Sequence, residues 1–183
     1  MSGVLGALLA SRPSAAVGSF DLLSTTILTS NTASVTFASL GTFAADYEHL
    51  QLRITSRTTA ASNSQLSMRF NGDAGNNYSE HQLTGNGSNV SSYGIGSNNQ
   101  AFLGTPFASG AAANAFGAYI VDLLDAFSTN KNTTVRSLTG GPAIGLFSAG
   151  WFNTASLTSV EIFMTLANHV TGSRFSLYGL RKV

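Results

Sequence analysis

The stretch LQLRIT at residues 50–55 alternates one aliphatic residue with one polar residue through its whole length. Side chains of a β-strand point alternately to the two faces of a sheet, so this pattern predicts a strand with one buried face and one exposed face. Residues 66–71 and 160–166 repeat the same period of two. We expect one core that contains Leu50, Leu52, Ile54, Leu66, Met68, Phe70, Val160, Ile162 and Met164.

Shorter apolar runs on either side of these stretches predict further strands at residues 20–23, 34–40, 118–124, 135–138 and 175–180. Turn-forming Gly and Asn residues separate the runs, and no stretch shows a capped helical period. The predicted fold is all-β, an antiparallel jelly-roll-like β-sandwich with an extended N-terminal arm. We assign residues 1–18 to the arm and 19–183 to the jelly-roll domain. Residues 85–114, rich in Gly, Ser, Asn and Ala, are interpreted as a long excursion, with room for a short strand, that lies over the sandwich or reaches a partner.

The composition is unusually poor in charge. Charged residues make up 9% of the 183 residues, against roughly 25% in an ordinary soluble domain. Such a surface indicates a protein that resides in an assembly, so we expect other protein chains as partners. The nine Lys and Arg residues are scattered and the net charge is +1, which disfavours nucleic acid as a partner. There is no cysteine, so disulfides and thiolate metal sites are excluded.

The apolar run from Val4 to Ala10 is followed directly by Arg12 and Pro13. It is far shorter than the roughly 20 residues of a membrane-spanning helix, so no membrane partner is expected. We interpret residues 1–18 as an arm that docks on a neighbouring chain or on its own body. Its predicted partner-binding residues are Val4, Leu5, Leu8, Leu9 and Arg12.

Residues that could carry chemistry show no recognisable catalytic or metal-binding pattern. His49, His81 and His169 lack metal-ligand spacing, and the many serines include no GxSxG motif. Asp122 and Asp125 lie three apart, which on a strand places them on opposite faces. The loop at residues 71–77 loosely resembles a calcium loop but lacks its bidentate Glu, so turn formation explains it better. We therefore predict no enzyme activity, no metal and no cofactor.

Aromatic residues offer two further sets of candidates. Tyr93, Phe102 and Phe107 lie among small residues in 85–114 and are candidates for contacts between subunits. Trp151 and Tyr78, with Tyr93, are candidates for stacking on a glycan, although a lone Trp near a strand is more often a core anchor.

Five segments, in their order along the chain, carry a resemblance to a family of phage virion proteins. They are YEHLQLR (47–53), RFNGD with NYS (69–79), residues 122–133, Gly150-Trp151 and SRFSLYG (173–179). The chain resembles jelly-roll virion proteins of tailed phages and cyanophages, including capsid decoration, or cement, proteins. This resemblance implies the major capsid protein and a homotrimer of the chain itself as partners. It also implies a place on the outer capsid surface after assembly in the host cytoplasm.

The leading hypothesis is therefore a cement protein that decorates and stabilises the capsid by binding major capsid protein subunits. One alternative is a tail, collar or fibre module that binds host-surface glycans through the aromatic candidates. The other is a hydrolase of surface polysaccharide that would use Asp122, Asp125 or His81.

Overall fold

The computed structural model describes residues 19–62 and 64–182, and these form twelve β-strands and one turn of 3-10 helix, Leu40–Phe43. The strands are β1 (Phe20–Ile27), β2 (Ser34–Phe37), β3 (Tyr47–Ser56), β4 (Leu66–Phe70), β5 (Tyr78–Gly85), β6 (Val90–Asn98), β7 (Ala101–Gly104), β8 (Gly117–Leu124), β9 (Thr133–Gly140), β10 (Ile144–Trp151), β11 (Val160–Met164) and β12 (Arg174–Arg181). The arm predicted for residues 1–18 lies outside the described residues.

The strands form two antiparallel sheets that pack as a sandwich. The eight-stranded sheet has the order β1-β12-β3-β8-β9-β10-β5-β6, and the four-stranded sheet has the order β2-β11-β4-β7. Leaving out the hairpins β5–β6 and β9–β10 leaves β1-β12-β3-β8 opposite β2-β11-β4-β7. This is the strand order of a jelly roll built from two Greek keys, so the predicted fold class is confirmed. The two hairpins are insertions that widen one sheet by four strands.

The core lies between the sheets, as the alternating stretches predict. All nine expected core residues are buried, and each is at most 5% exposed. Their registers agree with the sequence pattern, since Leu52 faces Leu177 and Ile54 faces Phe175 across β3 and β12. In the other sheet Ile162 faces Met68. The alternation ends sooner than the sequence suggests, because β11 stops at Met164 and Leu166 is exposed.

The interpretation of residues 85–114 as an excursion is wrong. This segment contributes β6 to the edge of the large sheet and β7 to the edge of the small one. All four residues of β7 are buried, so this strand is part of the core. Gly and Asn lower strand propensity, but pairing and burial outweigh propensity here. Strands β5 and β10 were also missed by the sequence analysis.

Candidate protein-binding face

The outer face of the eight-stranded sheet carries a row of exposed aliphatic side chains. Cross-strand pairing places Ile120 of β8 beside Leu138 of β9, Leu138 beside Leu146 of β10, and Leu146 beside Leu83 of β5. These four side chains are 44–52% exposed, and Ile144, one row away on β10, is 69% exposed. We call these five residues the outer stripe. Adjacent strands lie about 4.8 Å apart, so its main row spans roughly 14 Å.

The outer stripe exists because β8, β9 and β10 carry apolar residues on both faces. In β8, Tyr119, Val121 and Leu123 point into the core, whereas Ile120 points outward. A shallow hollow of about 350 Å³ lies between Leu83 and Leu146 and is open to solvent. Large exposed apolar patches on soluble proteins commonly mark binding sites, which makes this face the candidate site of the molecule.

A polar row runs beside the outer stripe. Arg136 Nη2 donates a 2.7 Å hydrogen bond to Asp122 Oδ2, and Gln51 Nε2 donates a 2.8 Å bond to Asp122 Oδ1. Arg53 Nε donates in turn to Gln51 Oε1, and the Arg53 guanidinium lies 4.6 Å from the ring centre of Tyr178. The network holds these side chains in place beside the apolar row. An apolar centre with a polar rim is the usual anatomy of a protein interface.

Two of the three aromatic residues proposed for contacts between subunits remain accessible. Tyr93 lies on β6 and is 52% exposed, and Phe107 is partly buried. Phe102 is 3% exposed and packs edge-on against Phe147, with ring centres 5.1 Å apart. The assignment of Phe102 to a subunit contact is therefore wrong, because its ring belongs to the interior. The arm residues Val4, Leu5, Leu8, Leu9 and Arg12 lie outside the described part of the chain.

The glycan-stacking assignment of Trp151 and Tyr78 is also wrong. Trp151 is 1% exposed and Tyr78 is fully buried, and both rings pack against Phe70. A sugar cannot reach the face of either ring. Burial raises the pKa of the Tyr78 hydroxyl to about 12, and this hydroxyl accepts the N–H of Phe70 and donates to the carbonyl of Asp73.

The loop with the loose likeness to a calcium site is a structural junction. The Asp73 carboxylate accepts hydrogen bonds from the Trp151 indole at 2.8 Å, from the Gly75 N–H at 2.8 Å and from the Asn77 amide. The bonds from Trp151 and then Asn77 hold the pKa of Asp73 below its ordinary value. Because these donors already occupy the carboxylate oxygens, turn formation explains the loop.

Glu48, His49 and Asp125 offer ligand atoms that lie within 4.8 Å of one another. The geometry fits a metal poorly. The backbone N–H of Asp125 donates to Nδ1 of His49 at 3.0 Å, which leaves the hydrogen of a neutral imidazole on Nε2. A ligating histidine instead turns a bare nitrogen to the metal and donates from the other. Lys131 Nζ also pairs with Asp125 Oδ1 at 3.2 Å, so this carboxylate already has a cationic partner.

The remaining titratable candidates do not assemble into a shared catalytic site. Asp122 and His81 lie in the same outer row but are separated by β9 and β10, roughly 14 Å apart. His169 is fully buried, with Nδ1 2.9 Å from Ser56 Oγ and its ring edge-on to Phe175. Burial lowers the pKa of His169 to about 4, so this side chain is a neutral core residue at pH 7.

The outer stripe was not anticipated from the sequence. Three of its residues, Leu83, Ile144 and Leu146, lie on strands that the sequence pattern does not predict. A signal was present in residues 118–124, where both alternating sets of positions contain apolar residues. Such a strand has either two buried faces or one exposed apolar face, and the sequence alone does not distinguish the two.

Comparisons with protein-family models, curated proteins and solved structures found no match. Within residues 19–62 and 64–182, no helix has the length and apolar character needed to cross a membrane.

Proposed function

We propose that this chain is a structural, non-enzymatic protein of a bacteriophage virion. In this proposal it decorates and stabilises the capsid from the outer surface by binding subunits of the major capsid protein. The observation that carries the proposal is the outer stripe, an exposed apolar row on a rigid sheet. The low content of charged residues supports the same function, as does the resemblance to phage virion proteins of five segments in the same order along the chain.

The outer stripe suits attachment that depends on many weak contacts. Burial of a complete aliphatic side chain contributes roughly 1.5–3 kcal/mol, so each half-exposed residue of the stripe contributes about 1 kcal/mol on binding. A capsid presents the same site many times, and contacts on linked subunits add through effective concentration. The polar row around Asp122 and Arg136 supplies charge and hydrogen-bonding groups that fix orientation.

The N-terminal arm is proposed as a second attachment. Val4, Leu5, Leu8 and Leu9 are too few to form a core, but each gains by burial against another chain. We expect deletion of residues 1–12 to leave a folded domain with near-normal thermal stability that no longer decorates capsids. Full occupancy of expanded shells by the truncated protein would assign attachment to the jelly roll alone.

The outer stripe is tested by one charge placed inside it and one outside it. Leu138→Glu puts a carboxylate into the centre of the stripe, whereas Thr134→Glu puts one on the same face of β9, four residues away. We expect Leu138→Glu to weaken binding to expanded shells at least about tenfold and Thr134→Glu to bind as wild type. Both side chains are exposed, so both variants should unfold at the wild-type temperature.

Copy number tests the function independently of the binding face. Quantitative mass spectrometry of purified virions should find the chain at a stoichiometry comparable to the major capsid protein. A handful of copies per particle, or no binding of wild-type protein to shells, would refute decoration. Normal binding by Leu138→Glu would refute the stripe as the attachment surface while leaving decoration intact.

A further inference from the structure

Strand β6 is the least protected sheet edge in the described part of the chain. Proteins commonly guard edge strands with short length, charge or bulges. The edges β2 and β7 are four residues long, and β1 carries Asp21 and a bulge between Leu22 and Ser24. In contrast, β6 is nine residues long, and each of them is at least partly exposed. The chain has no Asp, Glu, Lys or Arg from Gln82 to Val121.

The regular part of β6 points a defined set of backbone groups away from the molecule. Residues 90–95 pair with β5 in an unbroken register, and the irregularity of this pair lies beyond Ile95. The Asn86 N–H bonds to the Asn89 carbonyl at the hairpin end. Hydrogen-bonded and non-hydrogen-bonded pairs alternate along an antiparallel ladder. Counting from Asn89, the N–H and C=O groups of Val90, Ser92 and Gly94 therefore point outward.

We propose that β6 pairs antiparallel with β6 of a second copy of this chain, about a two-fold axis at Ser92. In this arrangement Ser92 faces Ser92 of the second copy, and Val90 faces Gly94. Each of these pairs exchanges two backbone hydrogen bonds, so the outward groups of one copy satisfy those of the other. A strand with outward groups at 90, 92 and 94 is self-complementary about its centre, which is the requirement of a two-fold interface.

The side chains of β6 permit this approach. Ser92 is small and uncharged, so two copies meet at the axis without like charges. Gly94 adds no side chain of its own opposite Val90, and the His81 ring covers it, 2.8 Å from the position that a Cβ would take. Exposed Tyr93 lies on the other face and comes next to Ser91 of the second copy, where the ring covers the new strand pair. This gives Tyr93 a place in a subunit contact, but in a dimer and not in a trimer.

The first test distinguishes the contribution of the Ser92 backbone N–H to dimer formation from that of the Ser92 side chain. Ser92→Pro removes the outward N–H, which takes no part in the ladder to β5, whereas Ser92→Ala keeps it. In analytical ultracentrifugation at up to about 100 µM, we expect dimers for wild type and Ser92→Ala and monomers for Ser92→Pro. A monomeric or trimeric wild type, or an equally dimeric Ser92→Pro, would overturn the proposal.

The second test does not depend on how proline affects folding. The chain has no cysteine, so an introduced one marks a unique position. Across the axis the two Cα atoms of residue 92 lie about 5.5 Å apart, within the range of a disulfide. The Cα atoms of residue 97 lie roughly 30 Å apart in the same arrangement. Mild oxidation should cross-link Ser92→Cys into covalent dimers and leave Ser97→Cys without a cross-link, and equal rates of linkage would refute the pairing. Neither test involves a capsid, so its outcome is independent of the proposed function.

Discussion

The jelly roll and its two inserted hairpins differ in the side chains that they expose on the outer face of the large sheet. In the jelly roll, β3 points Leu50, Leu52 and Ile54 inward and Arg53 and Thr55 outward. In the hairpins, β9 points Ser137 and Thr139 inward and Leu138 outward, and β10 exposes Ile144 and Leu146. The hairpins therefore bury Phe147 and Trp151 and also present aliphatic side chains to solvent, whereas the side chains that β3 exposes are polar.

The largest expected effect is the loss of unfolding free energy when a core residue, rather than a residue of the outer stripe, is shortened to alanine. Ile162→Ala removes a fully buried side chain between the sheets and should lower the free energy of unfolding by about 2–5 kcal/mol. Leu138→Ala should cost less than about 1 kcal/mol, because Leu138 is half exposed. Urea denaturation monitored by circular dichroism measures both. Similar costs would remove the distinction between the two regions.

The second effect concerns acid and the buried His169 side chain. The pKa of His169 is about 4 in the folded chain and near 6.5 in the unfolded chain. The unfolded state therefore binds the extra proton first, so stability is complete above pH 6.5 and falls as the pH drops toward 4. The full loss from this group is about 3 kcal/mol.

His169→Gln isolates this contribution, because Gln keeps polar atoms near Ser56 without titrating. Between pH 7 and 4 the variant should lose less unfolding free energy than wild type, by about 3 kcal/mol. Parallel pH profiles for the two proteins would show that folding does not lower the pKa of His169.

The third effect lies at the junction between a hairpin and the jelly roll. Trp151 on β10 donates its indole N–H to Asp73, which follows β4. Trp151→Phe keeps a buried ring but removes the donor, and should cost about 2 kcal/mol, a typical value for a bond to a charged group. The pKa of Asp73, measured by NMR titration, should rise toward its ordinary value.

Phe152, the neighbouring aromatic, provides the matched control. It is 53% exposed, so Phe152→Leu should leave both the unfolding free energy and the Asp73 pKa unchanged. An unchanged Asp73 pKa in Trp151→Phe would show that the indole bond does not hold the carboxylate.

The smallest effect probes the inner face of a hairpin. Glu80 on β5 is 5% exposed, and burial raises the pKa of its carboxyl above the ordinary value, although the Asn98 amide donates to it. A raised folded pKa favours the protonated form, so this group's contribution to stability falls as pH rises through that pKa. Glu80→Gln should therefore stabilise the protein at pH 7, by less than about 1 kcal/mol, since the bond from Asn98 can be kept. Thermal unfolding at pH 7 measures this difference. A lower unfolding temperature for Glu80→Gln than for wild type would contradict the prediction.

The sequence predicts the jelly roll far better than the hairpins, for a physical reason. Strands β3, β4 and β11 each turn one apolar face to the core, so their apolar residues recur every second position. In β10 the sequence IGLFSAGW places Leu146 outward and Phe147 inward, so the period disappears. In β6 neither face is buried, and no periodicity marks the strand.

The candidate site was less predictable than the fold. The outer stripe joins residues from four strands and three separate parts of the chain, so no local motif contains it. Trp151 was wrongly assigned to a binding site although it lies in the core. A flat ring that can stack on a ligand packs equally well on Phe70 and Tyr78. Burial decides between these roles, and burial depends on pairings that are distant in sequence.

The pairing of β10 with β5 also sets an order of events during synthesis. Strand β5 ends at Gly85 and β10 begins at Ile144, so residues 86–143 are synthesised between them. The β5–β6 hairpin therefore emerges from the ribosome with both edges open, and it can pair with the rest of the large sheet only once β10 has been synthesised. Until then its backbone groups are available to other nascent chains, and open strand edges of this kind favour misassembly. Slow growth of the chain across residues 86–143 lengthens that interval, so codon choice in this segment should influence the yield of native protein.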